Sequence, residues 1–330
     1  MAEFGQEFTT QMVVANFFNN QWSIPQVQPI APLRFHPGSH VLHYSSTRFE
    51  GLKAYRWDDG TIHLFRYQEN IKRLRNSAAA LCLPVPSYEL LEQSIFSAVK
   101  AVEQEIPNLP GALYIRPTLI GTELNIGAAG RGSTEAMLYV ITSPVGDYFS
   151  GGMRPLKLLI DDENMRSTPK FGQVKTGGNY AASLASVTSA REKFGADQVL
   201  FCPGGQVQET GAANFIVIKG KQIITKKTDG SILPGITRAS ILQLATAKGY
   251  QVLETDYSVQ ELLDWLPGCE AFLSGTAAVL SPVGALIHQD MEHSVGDGKV
   301  GAHSMQLHSL LTDIQTGRKP DEYDWTKLIN

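Results

Sequence analysis

Hydrophobic positions along the 330-residue chain alternate between two periods, a strand-like 2 and a helix-like 3.6. Near the start, "LKAYRW" and "GTIHLFRY" flank "DDG" and predict a hairpin. In "QENIKRLRNSAAAL", Ile71, Leu74 and Ala78 fall on one helical face. Ser87 caps a second predicted helix, in which Leu91, Ile95 and Val99 or Val102 share a face, and Pro107 and Pro110 close it. "ALYIRPTLIG" and "AMLYVITSPV" read as strands.

A Gly- and Pro-rich stretch, "GDYFSGGMRP" (146–155), then separates two strand-like runs and reads as a linker. The expected domains are a small N-terminal α/β domain over 1–147, an interdomain loop over 148–155 and a larger domain over 156–330 that carries Lys175. "LKLLI" opens the second part, and a helix is expected over Tyr180–Phe194, stopped by Gly195. "QVLFC" and "NFIVIKGKQIIT" follow as strands, the latter turning at Gly220-Lys221. A helix over about Arg238–Lys248 comes next, then a capping box at Ser258 and Glu261. "EAFLSG" is a strand and "SMQLHSLLTDIQTG" a terminal helix. There is no regular βαβ rhythm, so the pattern favours two α/β or α+β domains over one doubly wound sheet.

Composition narrows the function classes. A formal net charge of −4 carries no polyanion-binding footprint. The three cysteines, Cys82, Cys202 and Cys269, are widely spaced and form no metal or disulfide motif, which suits a reducing compartment. The start lacks a signal-like apolar core and no run is long enough to span a bilayer, so a cytoplasmic location is expected.

Several motifs fail on inspection. "FGQVKTGG" has a Lys-Thr pair, but Gln173 and Val174 separate it from Gly172, so it is not a P-loop. "GAAGRG" is not G-x-G-x-x-G. His36, His40 and His43 cluster without an acidic partner at ligand spacing, and no metal is expected. "GQVKTGGNYAASL" remains: an ordered lysine beside a glycine pair is entropically costly, and by itself Lys175 reads as a solvated charge, a phosphate clamp or a covalent nucleophile.

Six stretches occur in order: "FEGLKAYRWDDGTIHLFRYQENIKRL", "LYIRPTLIG", "GQVKTGGNYAASL", "QETGAANFIV", "LPGITRASIL" and "SGTAAVLSPVG". Together they resemble the fold-type IV pyridoxal-phosphate enzymes, and most closely the branched-chain amino acid aminotransferases, over about Val41–Gly284. The resemblance implies two domains with the active site at their interface, pyridoxal 5'-phosphate as cofactor and a homodimer. It implies reversible transfer of the amino group of L-leucine, L-isoleucine or L-valine to 2-oxoglutarate, giving L-glutamate, by a ping-pong course through a Lys175 aldimine. Lys175 matches the Schiff-base lysine, whose amine must be neutral to attack an aldehyde; burial near cations favours that form. Its glycine pair would let the backbone approach the cofactor.

The remaining roles follow residue by residue. Glu209, within an E-x-G-x-x-N pattern completed by Gly211 and Asn214, matches the carboxylate that pairs with the pyridine nitrogen. Arg66 matches the phosphate-binding arginine. Ala212, Leu233 and Gly235 are implied as cofactor contacts, Ile236 and Thr237 supply backbone N–H groups at a helix N-terminus, and Thr276 adds a hydroxyl. Arg238 reads as helix surface or local scaffold. Tyr180 matches the partner of the cofactor's phenolic oxygen. Tyr44, Phe49, Tyr114, Tyr148 and Ala212 match the apolar substrate pocket. Ala212 stands where many relatives carry Thr or Gly. The N–H groups of Thr276 and Ala277 are expected to hold the α-carboxylate. Arg116, beside Tyr114 on one strand face, is expected to accept the second carboxylate of glutamate. Ile126 and Ala128 match a loop that reaches the partner subunit's pocket. Ala278 and Ser281 replace the Cys-x-x-Cys of mammalian members, so that thiol control is absent. A D-amino acid aminotransferase or an aminodeoxychorismate lyase of the same fold is the nearest alternative, and a non-catalytic binding module the alternative from another class.

Overall fold

The computed structural model describes residues 4–146 and 152–329. The chain divides into two compact units. One comprises Met1–Tyr148, Val174–Gly178 and Ile314–Asn330; the other comprises Phe149–Gln173 and Asn179–Asp313.

In the first unit the elements are β1 (Gln11–Phe18), β2 (Gln21–Trp22), β3 (Gln26–Pro29), α1 (His40–Tyr44), β4 (Thr47–Phe49), β5 (Leu52–Arg56), β6 (Ile62–Phe65), α2 (Tyr67–Ala80), α3 (Tyr88–Ala101), β7 (Ala112–Gly121) and β8 (Ala136–Val145). Their strands form an antiparallel sheet in the order β17-β6-β5-β7-β8-β1-β2, where β17 is Thr326–Ile329; β3 pairs with β1 and β4 with β7. The expected hairpin is β5–β6, with Ala54 opposite Leu64. The predicted faces of α2 and α3 are buried: Ile71, Leu74, Ala78, Leu91, Ile95 and Val99 join one core with Leu113 and Ile115 of β7. Each fully buried Leu or Ile there contributes about 1.5–3 kcal/mol. Ser87 caps α3, its hydroxyl accepting from the Leu90 N–H at 3.1 Å.

The second unit holds β9 (Leu156–Asp161), α4 (Gly177–Phe194), β10 (Gln198–Phe201), β11 (Asn214–Lys219), β12 (Gln222–Thr225), α5 (Ile236–Ala247), β13 (Gln251–Glu254), α6 (Val259–Trp265), β14 (Glu270–Gly275), β15 (Val279–His288), β16 (Met291–Ser294) and α7 (Ala302–Gln315), with the ends of α4 and α7 counted to the first unit. Its mixed sheet runs β10-β9-β15-β14-β11-β12-β13, with β16 on β15. The Ser258–Glu261 capping box is present at α6. Leu158, Phe215, Val217, Leu262, Leu273 and Leu286 lie in its core.

The lysine stretch departs from the expected division. The sequence reading runs one domain from 156 to 330, but Val174–Gly178 packs with the first unit. Its backbone explains this. The Phe49 N–H donates to the Lys175 carbonyl at 3.2 Å, Arg48 and Thr176 form a β-bridge, and the Thr176 hydroxyl donates to the Thr47 carbonyl at 2.6 Å. The C-terminal segment joins through β17, which pairs with β6. Helix α4 begins at Gly177, three residues before the expected Tyr180.

Candidate active site

In the first unit, Lys175 lies against residues of β4, β7 and α2. Its backbone N–H donates to the Ser77 hydroxyl at 3.2 Å, and its Nζ stands 5.0 Å from the centre of the Phe49 ring. Burial and the nearby Arg73 guanidinium lower the lysine pKa to about 8, with Glu50 and Tyr114 opposing and Arg116 adding to the fall. A neutral amine is therefore about a tenth of the population near pH 7, far more than for an ordinary lysine.

Around it stand Phe49, Tyr114 and Arg116. The Arg116 guanidinium lies 4.6 Å from the Phe49 ring centre and donates to the Tyr114 hydroxyl at 2.8 Å. Its Nε is buried without a hydrogen-bond partner. Gly51 makes this arrangement possible: a Cβ there would fall 2.0 Å from the Tyr114 hydroxyl oxygen. Tyr44 sits at the end of α1 and its hydroxyl donates to the Ile126 carbonyl, tying it to the 122–134 loop. That loop is clasped by the Glu123–Arg131 ion pair. Ile126 is 69 % exposed, whereas Ala128 is buried. Tyr148 lies outside the described residues.

Arg66 is not in this cluster. It occupies the N-cap of α2 with φ 48°, and its guanidinium lies over the Trp325 ring at 5.0 Å. The cation beside Lys175 is Arg73, seven residues on and about 10 Å further along the helix axis. Arg73 is buried and clamped by Glu50, with Nε to Oε1 at 2.9 Å and a terminal nitrogen to Oε2 at 2.8 Å. Sequence reading missed it because two arginines seven apart share a helix face, and only the tertiary partner Glu50 distinguishes them.

The second unit gathers a carboxylate site. Glu209 is buried and forms an ion pair with Arg166 at 2.6 Å, both side chains under 5 % exposed. Its Oε1 also accepts the Leu233 N–H at 2.8 Å, and Oε2 accepts from Asn214 Nδ2 at 2.7 Å. Arg166 in turn donates to the Gly172 carbonyl at 2.7 Å. The sequence reading had no role for Arg166. Gly235 caps α5 without a side-chain hydrogen bond, and a Cβ on it would fall 2.0 Å from Asn214 Oδ1. Ile236 and Thr237 form the first turn of α5. Arg238 is buried scaffold rather than helix surface: it donates to the Lys226 carbonyl and to Glu254 at 2.8 and 2.7 Å. Tyr180 lies in the first turns of α4, and Ala212 is exposed in the turn before β11. Thr276 and Ala277 lie in the turn between β14 and β15, which Val279 closes at φ 62°, a strained conformation for a β-branched residue. Opposite Asn214 on β14, the Ser274 hydroxyl is buried without a partner. Of the glycine pair, Gly177 approaches Thr47, where an added Cβ would stand 3.1 Å from Cγ2; a Cβ on Gly178 would meet nothing within 4 Å.

Each unit by itself holds groups suited to part of a phosphorylated aldehyde cofactor with a basic ring nitrogen. The first unit offers a buried amine of lowered basicity among cations. The second offers a buried carboxylate, unpartnered polar atoms at Ser274 and at Arg166 Nε, and an uncapped helix N-terminus suited to an anion. Among the described residues no group of His, Cys, Asp and Glu could hold a metal, and no helix is long and apolar enough to cross a membrane.

Comparison with known proteins agrees with this chemistry. The family model for amino-transferase class IV matches residues 47–286. The branched-chain-amino-acid aminotransferase of Mycolicibacterium smegmatis is 38 % identical over 99 % of this chain and 92 % of its own length. Branched-chain-amino-acid aminotransferase 2 of Bacillus subtilis is 39 % identical over 98 % and 91 %. Among solved structures, the T.th. branched-chain amino acid aminotransferase with pyridoxamine 5'-phosphate superposes with a TM-score of 0.79 at 26 % identity, covering 96 % of this chain and 98 % of that one. The Escherichia coli branched-chain amino acid aminotransferase gives 0.75 at 26 % identity, covering 96 % and 99 %. A buried lysine of low basicity, a buried carboxylate and near-complete alignment lead to one conclusion: the chain belongs to the class IV aminotransferases, within the branched-chain-amino-acid aminotransferases.

Proposed function

We propose that the protein moves the amino group of L-leucine, L-isoleucine or L-valine to 2-oxoglutarate with pyridoxal 5'-phosphate as cofactor. The observation that carries this reading is the Lys175 amine, lowered to about pKa 8 beside Arg73, Tyr114 and Arg116 in a chain of this family. When bound, the cofactor supplies an aldehyde to take up the amino group and a ring to disperse charge from the substrate Cα.

The residues divide the remaining work. Lys175, poised between its two protonation states, removes the Cα proton and returns it. Arg73, in place of Arg66, holds phosphate oxygens, with the N–H groups of Ile236 and Thr237 and the Thr276 hydroxyl as further donors. Glu209, ion-paired with Arg166, would face the ring nitrogen. Tyr180 binds the phenolic oxygen. Tyr44, Phe49 and Tyr114 receive an aliphatic side chain, while Arg116 at the pocket's margin receives the γ-carboxylate of glutamate. The N–H groups of Thr276 and Ala277 bind the α-carboxylate. The protein works as a cytoplasmic homodimer in which the exposed Ile126 of one subunit borders the other subunit's pocket; the buried Ala128 contributes backbone only.

The test is a panel of L- and D-amino acids with 2-oxoglutarate, read as oxo-acid and glutamate formation. L-leucine, L-isoleucine and L-valine should be the preferred donors. Preference for D-alanine, or pyruvate release from aminodeoxychorismate, would overturn the assignment.

A further inference from the structure

Arg48 and Glu50 lie two residues apart, so an extended backbone sends both side chains to one face. There they meet Arg73 of α2. Glu50 Oε1 accepts from Arg48 at 3.2 Å and from Arg73 Nε at 2.9 Å. Oε2 accepts from Arg73 at 2.8 Å and from Asn70 Nδ2 at 2.8 Å. Arg48 and Glu50 are 0 % exposed and Arg73 8 %. Arg48 Nε and Nη1 have no hydrogen-bond partner. Burial alone would raise the Glu50 carboxyl, but Arg73 and Arg48 outweigh it and hold it near 2.

Such a triad is a poor device for stability, because two cations and an anion lose their hydration and Arg48 leaves two donors unmet. Its geometry serves placement instead. A guanidinium held through Nε and one terminal nitrogen has a fixed plane and position. We propose that Glu50 is a positioning residue whose two-pronged hold on Arg73 fixes where a buried cation stands beside Lys175. The consequence for catalysis rests on the reading of Lys175 as the cofactor lysine. The backbone places the triad by Lys175: its N–H donates to the Ser77 hydroxyl, one turn along α2 from Arg73, and its Nζ stands 5.0 Å from the ring of Phe49, the neighbour of both Arg48 and Glu50. The charged or titratable groups that act on its amine include Arg73 from α2, Glu50 after β4, and Tyr114 and Arg116 from β7.

Position and charge count can be separated. Two guanidiniums and one carboxylate give the triad a net charge of +1. Arg48→Met lowers it to zero but leaves the clamp. The double variant Arg48→Met/Glu50→Gln restores +1 through Arg73 alone and removes the clamp. The readout is the pH midpoint of Lys175 acetylation in cofactor-free, full-length protein, followed by peptide mass spectrometry. The double variant should raise the midpoint by about one unit, and Arg48→Met should stay within about half a unit of the natural protein. The reverse order, with Arg48→Met raised and the double variant unchanged, would mean that charge count alone acts and would overturn the proposal. Should the double variant fail to fold, Glu50→Asp keeps the charge and shortens the arm by one methylene. The same rise is expected, and an unchanged midpoint overturns the proposal. Attachment of cofactor to Lys175 is read separately in the natural protein, so failure of that reading is distinct from failure of the clamp.

Discussion

Replacing Arg166 with methionine probes the carboxylate site most sharply. The substitution keeps an apolar stem of similar length and removes the cation 2.6 Å from Glu209. Glu209 would keep its hydrogen bonds from the neutral Asn214 amide at 2.7 Å and the Leu233 N–H at 2.8 Å. With both side chains under 5 % exposed, water cannot replace the lost charge. Breaking such a pair costs about 3–5 kcal/mol. Thermal unfolding of cofactor-free protein measures the loss. Arg154→Met is the control, because its ion pair with Asp197 is 69 % exposed on the arginine side and should cost under about 1 kcal/mol. An Arg166→Met loss no larger than the control's would refute the reasoning.

Arg73→Ala should weaken pyridoxal phosphate affinity by about 100-fold, while Arg66→Ala, acting on a guanidinium stacked over Trp325, should change it less than about threefold; equilibrium titration of cofactor-free protein compares them. Arg116→Ala should raise KM for glutamate at least about tenfold more than KM for leucine, since only glutamate brings a second carboxylate; equal changes in steady-state kinetics would remove its place in dual recognition. Gly51→Ala should lower kcat/KM for leucine by about tenfold or more, because a Cβ 2.0 Å from the Tyr114 hydroxyl must displace that ring, and Tyr114→Phe in the same background should recover part of the loss.

What the sequence made legible follows the reach of each interaction. The faces of α2 and α3, the caps at Ser87 and Ser258, and the strands β7 and β8 are local patterns, and they appear at the expected residues. The Arg116–Tyr114 pair was equally readable, since two residues on a strand share a face. Long-range pairings were not. Strand β17 reaches β6 across more than 250 residues, and the lysine strip leaves the second unit to pair beside β4, so neither shows in any local window. Arg66 was favoured over Arg73 for the same reason: the choice depends on Glu50, 23 residues from Arg73 in sequence, and no periodicity encodes it. Arg166 lacked a signal altogether, because its partner is more than 40 residues away and its own neighbours read as a polar loop.

The central claim is that Lys175 carries the cofactor. Holoenzyme reduced with borohydride, digested and sequenced by mass spectrometry tests it directly. The account predicts one pyridoxyl-phosphate adduct, on Lys175 of "GQVKTGGNY", lost when L-leucine is added before reduction. An adduct on another lysine, or none in protein incubated with excess cofactor, would contradict it.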